Sequence, residues 1–511
     1  MRLVEYLDKG ASLGPDAPCL VVGGRVGERA RSYADVQAFS YAIARALERA
    51  GIRPGDKVAI LSANDPDAFA CVFGISRAGA VWCPINPRNA ADENRELLAA
   101  FDCRCLLYQQ KFQPLVDAIA PRLPELAVRV CLETELVAFT AGVPSEPWQA
   151  DAIDDVAMIV GTGGTTGRPK GVVLTGHNLE AMSAATLMGY PFRGRPVYLA
   201  LAPLTHAAGV LCFPILAHGG EIVVMPAPDL GELLALIPRH RVTHLFLPPT
   251  LIYMLLADPR LDATDLSSLQ CFWYGAAPMS AEKLEEALHR IGPVMAQLFG
   301  QSEAPMMISM LAPADHFHAD GSIARARLTS AGKPSPLTTV AIMGEDGALL
   351  PRGERGEIVV RGPLVMAGYY KDAAATREAS RFGWHHTGDV GYLDADNYLF
   401  IVDRMKDMII SGGFNVYSAE VEQALMQHPA VQDCAVIGLP DDKWGERVVA
   451  VVQLRAGEVV DGDALKAFVK SRIGSVKAPK QVELWPDLPR SKVGKVLKAE
   501  IRQQLAARAT P

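Results

Sequence analysis

The chain lacks a positive charge excess, a cysteine framework and any clean apolar run long enough to cross a bilayer. Its 511 residues carry 50 Lys and Arg against 57 Asp and Glu, a net charge of −7. Nucleic-acid binders need a basic surplus to neutralise phosphates, so that class of partner is set aside. Nine cysteines are scattered without a C-x-x-C pair. Cys103 and Cys105 are the only close couple, and no histidine pair stands around them at zinc-ligand spacing. An odd count without a framework predicts reduced, mostly buried thiols and a cytoplasmic setting. The opening MRLVEYLDKG has charges where a signal peptide has its apolar run, so no export signal is expected. Regions 197–228 and 245–257 are the most apolar, but prolines interrupt them or they are too short to span a membrane. They read as buried sheet and helix. No internal repeat or low-complexity tract is visible.

What remains is a globular composition, with 50% of residues hydrophobic and 21% charged. The length exceeds what one core supports, so two or more domains are expected. Apolar residues recur at helical spacing over 32–51 and 67–79, alternating with short apolar strands at 58–61 and 80–85. That alternation, continued to about residue 300, predicts α/β layers. From Gly332 to Val360 the pattern becomes short strands punctuated by Gly and Pro, with Gly344-Glu345-Asp346-Gly347 as a hairpin-like turn. The short charged bridge Asp403–Asp407 reads as a rigid loop or a hinge. Beyond it, helices at 418–427 and 463–473 and strands at 431–438 and 448–454 predict a compact α+β domain. Basic residues gather there, at Lys466, Lys470, Arg472, Lys477, Lys480, Arg490, Lys492, Lys495 and Lys498. A solvated surface and a polyphosphate site fit this cluster equally well.

The most telling segment is Gly161-Thr162-Gly163-Gly164-Thr165-Thr166-Gly167-Arg168-Pro169-Lys170-Gly171. Glycines let backbone N–H groups approach an anion, and threonine hydroxyls and a lysine add donors and charge. The P-loop pattern G-x-x-x-x-G-K-[ST] fails, because Arg168-Pro169 separates Gly167 from Lys170. The flanks read as strand and strand rather than strand and helix. Further polar clusters follow at Phe299-Gly300-Gln301-Ser302-Glu303, Trp384-His385-His386-Thr387-Gly388-Asp389 and Pro489-Arg490-Ser491-Lys492-Val493-Gly494-Lys495. Any one of them alone is most often a cap or a turn.

In this order the motifs resemble the adenylate-forming superfamily: acyl-CoA and aryl-CoA synthetases, luciferases and adenylation domains of peptide synthetases. The resemblance runs from the helix at 32–51 to Lys495. It implies an α/β fold with a large, multi-subdomain N-terminal domain of α/β layers plus a β-barrel-like section. A small, mobile C-terminal α+β domain completes it. The implied boundaries are 1–403 for the adenylation (AMP-binding) domain, 404–406 for the hinge and 407–511 for the mobile domain.

Carried over by position, Thr162, Gly163, Gly164, Thr165, Thr166, Gly167 and Lys170 resemble the loop that embraces the ATP β- and γ-phosphates. Gly163 stands where relatives have Ser. Gly275, Ala276, Ala277 and Pro278 resemble the strand end against adenine and the acyl group. Phe299 would stack near adenine within Phe299-Gly300-Gln301-Ser302-Glu303, with Ser302 on the α-phosphate and Glu303 on Mg²⁺. Asp389 matches the acid that binds both ribose hydroxyls, and Arg404 a second ribose contact. Lys406 matches the hinge, and His206 the gate between nucleotide and acyl pocket. Gly412 and Gly413 resemble the loop of the pantetheine tunnel. Trp444 resembles a residue near the CoA nucleotide, with core packing as the competing role. Lys495 matches the catalytic lysine, joined in the implied chemistry by Glu303, His206 and Thr162. The acyl pocket would be lined around Tyr190, 206–209, 246–250, 274–276 and 304–307, apolar and Met-rich positions that suit an alkyl or aryl acid.

The implied reaction is ATP- and Mg²⁺-dependent activation of a carboxylic acid, leaning to a fatty acid, followed by transfer to CoA. An aryl acid, or a carrier protein as acceptor, is the alternative. A homodimer is compatible with the resemblance, though no interface is specified. An ammonium placed at the bridging oxygen stabilises the charge that builds during adenylation. Lys495→Ala is therefore expected to slow adenylation by about 10²–10³-fold, the scale of one lost transition-state donor. Thioester formation from supplied acyl-AMP should survive. Equal loss in both half-reactions would remove Lys495 from this role.

Overall fold

The computed structural model describes residues 1–23, 29–144, 146–151, 155–162, 170–204, 207–441, 443–490 and 496–509, with the backbone alone at 207, 208, 506 and 509. Among these residues four sheets form. The largest is nine-stranded, and its central strands Val197–Ala200, Glu221–Val224, His244–Leu247, Cys271–Gly275 and Met295–Gln301 run parallel. The second is seven-stranded, with Val81–Ile85, Lys57–Leu61, Cys103–Tyr108 and Val128–Cys131 parallel. Strand Val156–Thr162 joins that sheet parallel to Val81–Ile85, and Lys170–Thr175 pairs with it antiparallel.

Burial on both faces explains the unbroken apolar strands. Successive side chains point to opposite faces, so Tyr198 and Ala200 enter one core while Leu199 and Leu201 enter another. Helices Leu3–Leu13, Tyr33–Arg49, Pro66–Arg77 and Ala207–Ala217 contribute to the core shared by both large sheets. Helices Leu230–His240, Pro249–Leu256 and Ala281–Arg290 cover the far face of the nine-stranded sheet. The central helix Pro66–Arg77 is buried all round, as an inner layer requires. Asp65 starts it by accepting from the Ala68 N–H, with Pro66 in the first turn. Ser32 caps Tyr33–Arg49 in the same way, accepting from the Asp35 N–H.

The β-rich section is a four-stranded antiparallel sheet of Thr339–Met343, Gly356–Arg361, His385–Leu393 and Leu399–Arg404. After the turn Met405–Asp407 comes a five-stranded sheet whose two faces carry cores of their own. Those cores contain no residue before Ile409, and the cores of the large body contain none after Ile401. Among the described residues no apolar cluster crosses the junction, the condition under which domains reorient.

All nine cysteines are buried and none is joined in a disulfide, as expected. Among the described residues no helix is long and apolar enough to cross a membrane. Four of the nine basic residues of the C-terminal cluster are ion-paired: Lys466 with Asp463, Lys477 with Glu420, Arg490 with Asp433 and Lys498 with Glu422.

Phe213 anchors the first helix to the shared core, fully buried and stacked on Tyr6 at 5.3 Å. Phe213→Ala is expected to cost about 3–5 kcal/mol in the unfolding of the large domain. Urea titration followed by tryptophan fluorescence measures it, and a loss under 1 kcal/mol would mean that this contact is not central.

Candidate active site

Three parallel strands, His244–Leu247, Cys271–Gly275 and Met295–Gln301, end at one edge of the nine-stranded sheet. Open α/β sheets hold ligands beyond such carboxyl ends. Gly275 lies opposite Leu298, and a Cβ there would stand 2.4 Å from the Leu298 carbonyl oxygen, so close strand packing requires glycine. The chain then turns sharply. Ala276 takes a φ of 67°, a conformation that L-residues rarely adopt, and it is exposed together with Pro278. Strain of this kind gathers at functional edges.

The Phe299 strand bulges between Phe299 and Gln301, and Gln301 pairs with Ala304. Ser302 and Glu303 are thereby the two residues of a tight turn. A Cβ on Gly300 would fall 2.3 Å from the Met306 N, so the bulge depends on glycine. Glu303 is held from two directions. Its Oε1 accepts from the Tyr369 hydroxyl at 2.8 Å, and its carbonyl accepts from the Met366 N–H at 2.8 Å. Burial, then the Glu303 carboxylate, pushes the Tyr369 phenol pKa up, so it remains a donor. Tyr369 pairs in turn with Val172, and its ring lies 4.9 Å from Lys170 Nζ. Thr162 is the cross-strand partner of Lys170. The two ends of the glycine-rich segment and the Glu303 turn are thus joined through one tyrosine.

Gln301 extends the connection the other way. Its Nε2 donates to the Thr387 carbonyl at 3.3 Å, and its Oε1 lies 3.1 Å from His385 Nε2. Burial, reinforced by His386, lowers the His385 pKa to about 4, so a neutral ring makes this contact at pH 7. Two residues after Thr387 stands Asp389, only 4% exposed. Sequence reading put Asp389 behind a glycine turn. It sits instead within the strand His385–Leu393, where Gly388 takes a φ of 70° beside a bulge. Asp389 Oδ1 meets Arg404 Nε at 2.6 Å across the strand pair. Lys170, Tyr369, Glu303, Gln301, Thr387, Asp389 and Arg404 therefore form one connected rim.

Lys406 is exposed in the turn Met405–Asp407. Gly412 and Gly413, with φ of 60° and 82°, form the turn between strands Ile409–Ser411 and Phe414–Val416. Two consecutive positive φ values make Gly-Gly the natural choice. The Gly412 N–H donates to the Trp444 carbonyl at 2.7 Å. Trp444 is 36% exposed, and Lys443 and Lys480 each place Nζ 5.1 Å from its ring. Core packing is thus the wrong role for Trp444, because the ring lies at the surface. These three residues form a group of their own on the small domain. Gly163, Gly164, Thr165, Thr166, Gly167, His206 and Lys495 lie outside the described residues.

Among the described residues no group of three or more His, Cys, Asp or Glu could hold a metal by itself. A lone carboxylate such as Glu303 fits Mg²⁺ all the same. That ion takes one or two protein carboxylates and completes its shell with phosphate oxygens and water. Beside the rim, Tyr190 and Tyr274 are buried and fastened at their hydroxyls. Tyr190 donates to the Gln297 carbonyl at 2.5 Å, and the Tyr274 hydroxyl lies 3.0 Å from His316 Nε2. Phe246, Ala304 and Met307 are buried as well.

Sequence reading missed Tyr369, His385 as a partner of Gln301, and Thr387. Tyr369 belongs to no recognised pattern. Its importance comes from a strand pairing that the sequence does not announce.

The model for AMP-binding enzymes matches residues 7–370, and that for the AMP-binding enzyme C-terminal domain matches residues 420–495. The chain is 38% identical over 496 residues to a feruloyl-CoA synthase of an Amycolatopsis species, covering 97% of each. It is 36% identical to a medium/long-chain-fatty-acid–CoA ligase of Mycobacterium tuberculosis, covering 94% of this chain and 85% of that one. The solved structure of the amide bond synthetase McbA from Marinactinospora thermotolerans superposes with a TM-score of 0.89 at 32% identity. That match covers 98% of this chain and 99% of the other.

The backbone at Ala276 gives a direct test of the strained edge. Ala276→Gly should leave stability within about 0.5 kcal/mol, strain relief offsetting the gain in unfolded-state entropy. Ala276→Val should cost about 1–3 kcal/mol, because a β-branched side chain resists φ > 0. Chemical denaturation of both variants reads the difference. A valine as stable as the glycine would mean that the edge is unstrained.

Proposed function

The chain belongs to the AMP-binding enzyme family and is an AMP-forming acid–thiol ligase, and on that footing we propose that its acid is a compact aryl monocarboxylate. The family's acyl- and aryl-CoA ligases use ATP, Mg²⁺ and CoA. A carboxylate oxygen attacks the α-phosphorus, the bond to the bridging oxygen breaks, and pyrophosphate leaves. The CoA sulfur then attacks the acyl carbon of the mixed anhydride, and AMP leaves.

In this reading Lys170 and Thr162 close the base of the loop on the β- and γ-phosphates. Tyr369 holds Glu303 at the position where the metal would be bound. Mg²⁺ supplies charge neutralisation on the phosphates when bound with the nucleotide. Asp389 is acceptor-only when ionised and takes both ribose hydroxyls, while Arg404 keeps it oriented. Lys495 stabilises charge at the bridging oxygen, and Lys406 is the pivot. Gly412, Gly413 and Trp444 serve the thiol step.

The observation that carries the aryl assignment is the fastening of Tyr190 and Tyr274 at their hydroxyls. Tyr190 fills the core shared by the two large sheets and Tyr274 the core on the far face of the nine-stranded sheet, and rings tethered in this way do not swing aside to open a long channel. Likeness to the feruloyl-CoA synthase supports the same choice. Likeness to the fatty-acid ligase favours a second reading, an alkyl acid.

A panel of ferulate, benzoate, octanoate and palmitate with ATP, Mg²⁺ and CoA separates the two. Pyrophosphate release and thioester mass are the readouts. The aryl reading expects kcat/KM for ferulate or benzoate to exceed that for palmitate by at least ~10-fold, about what one or two mismatched methylenes in a pocket are worth. The opposite order would establish the fatty-acid reading. Adenylate without thioester would move the acceptor from CoA to a carrier protein.

A further inference from the structure

One buried polar cluster uses residues from both sides of the turn Met405–Asp407 and has no part in the chemistry above. Asp403 lies next to the end of the last strand of the four-stranded sheet, pairing with Val390, and is 6% exposed. Ser418, wholly buried, opens the helix Ser418–Met426 of the small domain. The Ser418 N–H donates to Asp403 Oδ2, and the Ser418 hydroxyl lies 2.7 Å from the same oxygen and 3.0 Å from Oδ1. On the far side, Lys498 Nζ lies 2.6 Å from the Ser418 Oγ and 2.8 Å from Glu422 Oε1. The Glu422 Oε1 also accepts from the Val436 N–H at 2.7 Å.

Two features give this cluster a meaning beyond packing. First, the helix lacks a cap of its own, since its N-cap residue Tyr417 makes no side-chain capping bond. Exposed first-turn N–H groups and the positive helix end favour a carboxylate, and Asp403 supplies one from the other domain. Second, the cluster divides cleanly at the junction. Ser418, Glu422 and Lys498 all belong to the small domain and stay together however it is oriented. Asp403 is fixed to the large body by its strand, so any rotation within 404–406 must withdraw it. The contact is charge-assisted and buried, and such bonds define a geometry sharply.

We propose that Asp403 is a positioning residue that plugs into a socket built from the Ser418 N–H, the Ser418 hydroxyl and Lys498, and thereby sets one of the two domain orientations used in the reaction. Lys498 holds the Ser418 hydroxyl in place from behind. The socket persists when the plug withdraws, so the same orientation is recovered at each turnover. This inference rests on the two-step reading above for its kinetic consequence, but not for its structural one.

The test uses full-length Asp403→Asn and Ser418→Ala, with Ser418→Thr as the variant that keeps a hydroxyl. Trypsin cleavage after Arg404 and Lys406 reports how often the junction opens, whatever acid the enzyme accepts. Both loss variants should be cleaved at least 5-fold faster than wild type with an unchanged thermal midpoint, while Ser418→Thr stays near wild type. The ratio of adenylation to thioester formation should move at least 5-fold in the same two variants, with one half-reaction retained. Unchanged cleavage, or both half-reactions falling together with the thermal midpoint, would overturn the proposal. Silence of the wild type across the acid panel would count against the proposed function alone, because the cleavage result would still stand.

Discussion

The 2.6 Å ion pair between Asp389 and Arg404 is the contact on which the site's arrangement turns. It is short because the two residues are cross-strand partners in a sheet, not because two flexible side chains found each other. Asp389 is nearly inaccessible while Arg404 stays half exposed, so the pair presents one buried acceptor and one reachable cation. An exposed ion pair on its own contributes little stability. Its value here is geometric. Upstream, the same strand is tied through Thr387 and His385 to Gln301, and hence to the Glu303 turn. Downstream, the Arg404 strand leads straight into the junction between domains.

Under the proposed function one site is shared by two domains, and among the described residues no apolar interface joins them. The large body closes its cores before the junction and the small domain builds its own after it. What links them is polar and local, including the seating of Asp403 on the Ser418 helix and the 3.9 Å approach of Arg355 to Glu420. Polar contacts of this type can be exchanged for water at small net cost, whereas an apolar interface could not be opened in each cycle. The fold thus keeps closed cores inside each body and joins the two through the exposed turn Met405–Asp407.

The layered α/β body was legible because its strands are buried on both faces and its helices carry clear spacing and caps, as at Ser32 and Asp65. The strands flanking the glycine-rich segment, the Glu303 turn and the Asp389 strand were likewise marked by glycines and acids in recognisable order. Tyr369 was not legible, since nothing around it signals that its strand pairs with the Lys170 strand and aims its hydroxyl at Glu303. Asp389 was misjudged locally, because a glycine before an acid reads as a turn while here it marks a bulge inside a strand. The socket around Lys498 was hidden in a run of basic residues that resembles a solvated surface. Long-range pairing decides such cases, and a single sequence shows local pattern only.

Under the proposed function this rim binds ATP and activates a carboxylate on it. Acid-dependent exchange of labelled pyrophosphate into ATP, measured without CoA for the wild type and Asp389→Asn, tests that claim most directly. Exchange is expected to require the acid, and the KM for ATP to rise at least ~10-fold in the variant, the scale of one lost charge-assisted hydrogen bond. Exchange independent of any acid, or an Asp389→Asn enzyme with an unchanged KM for ATP, would contradict it.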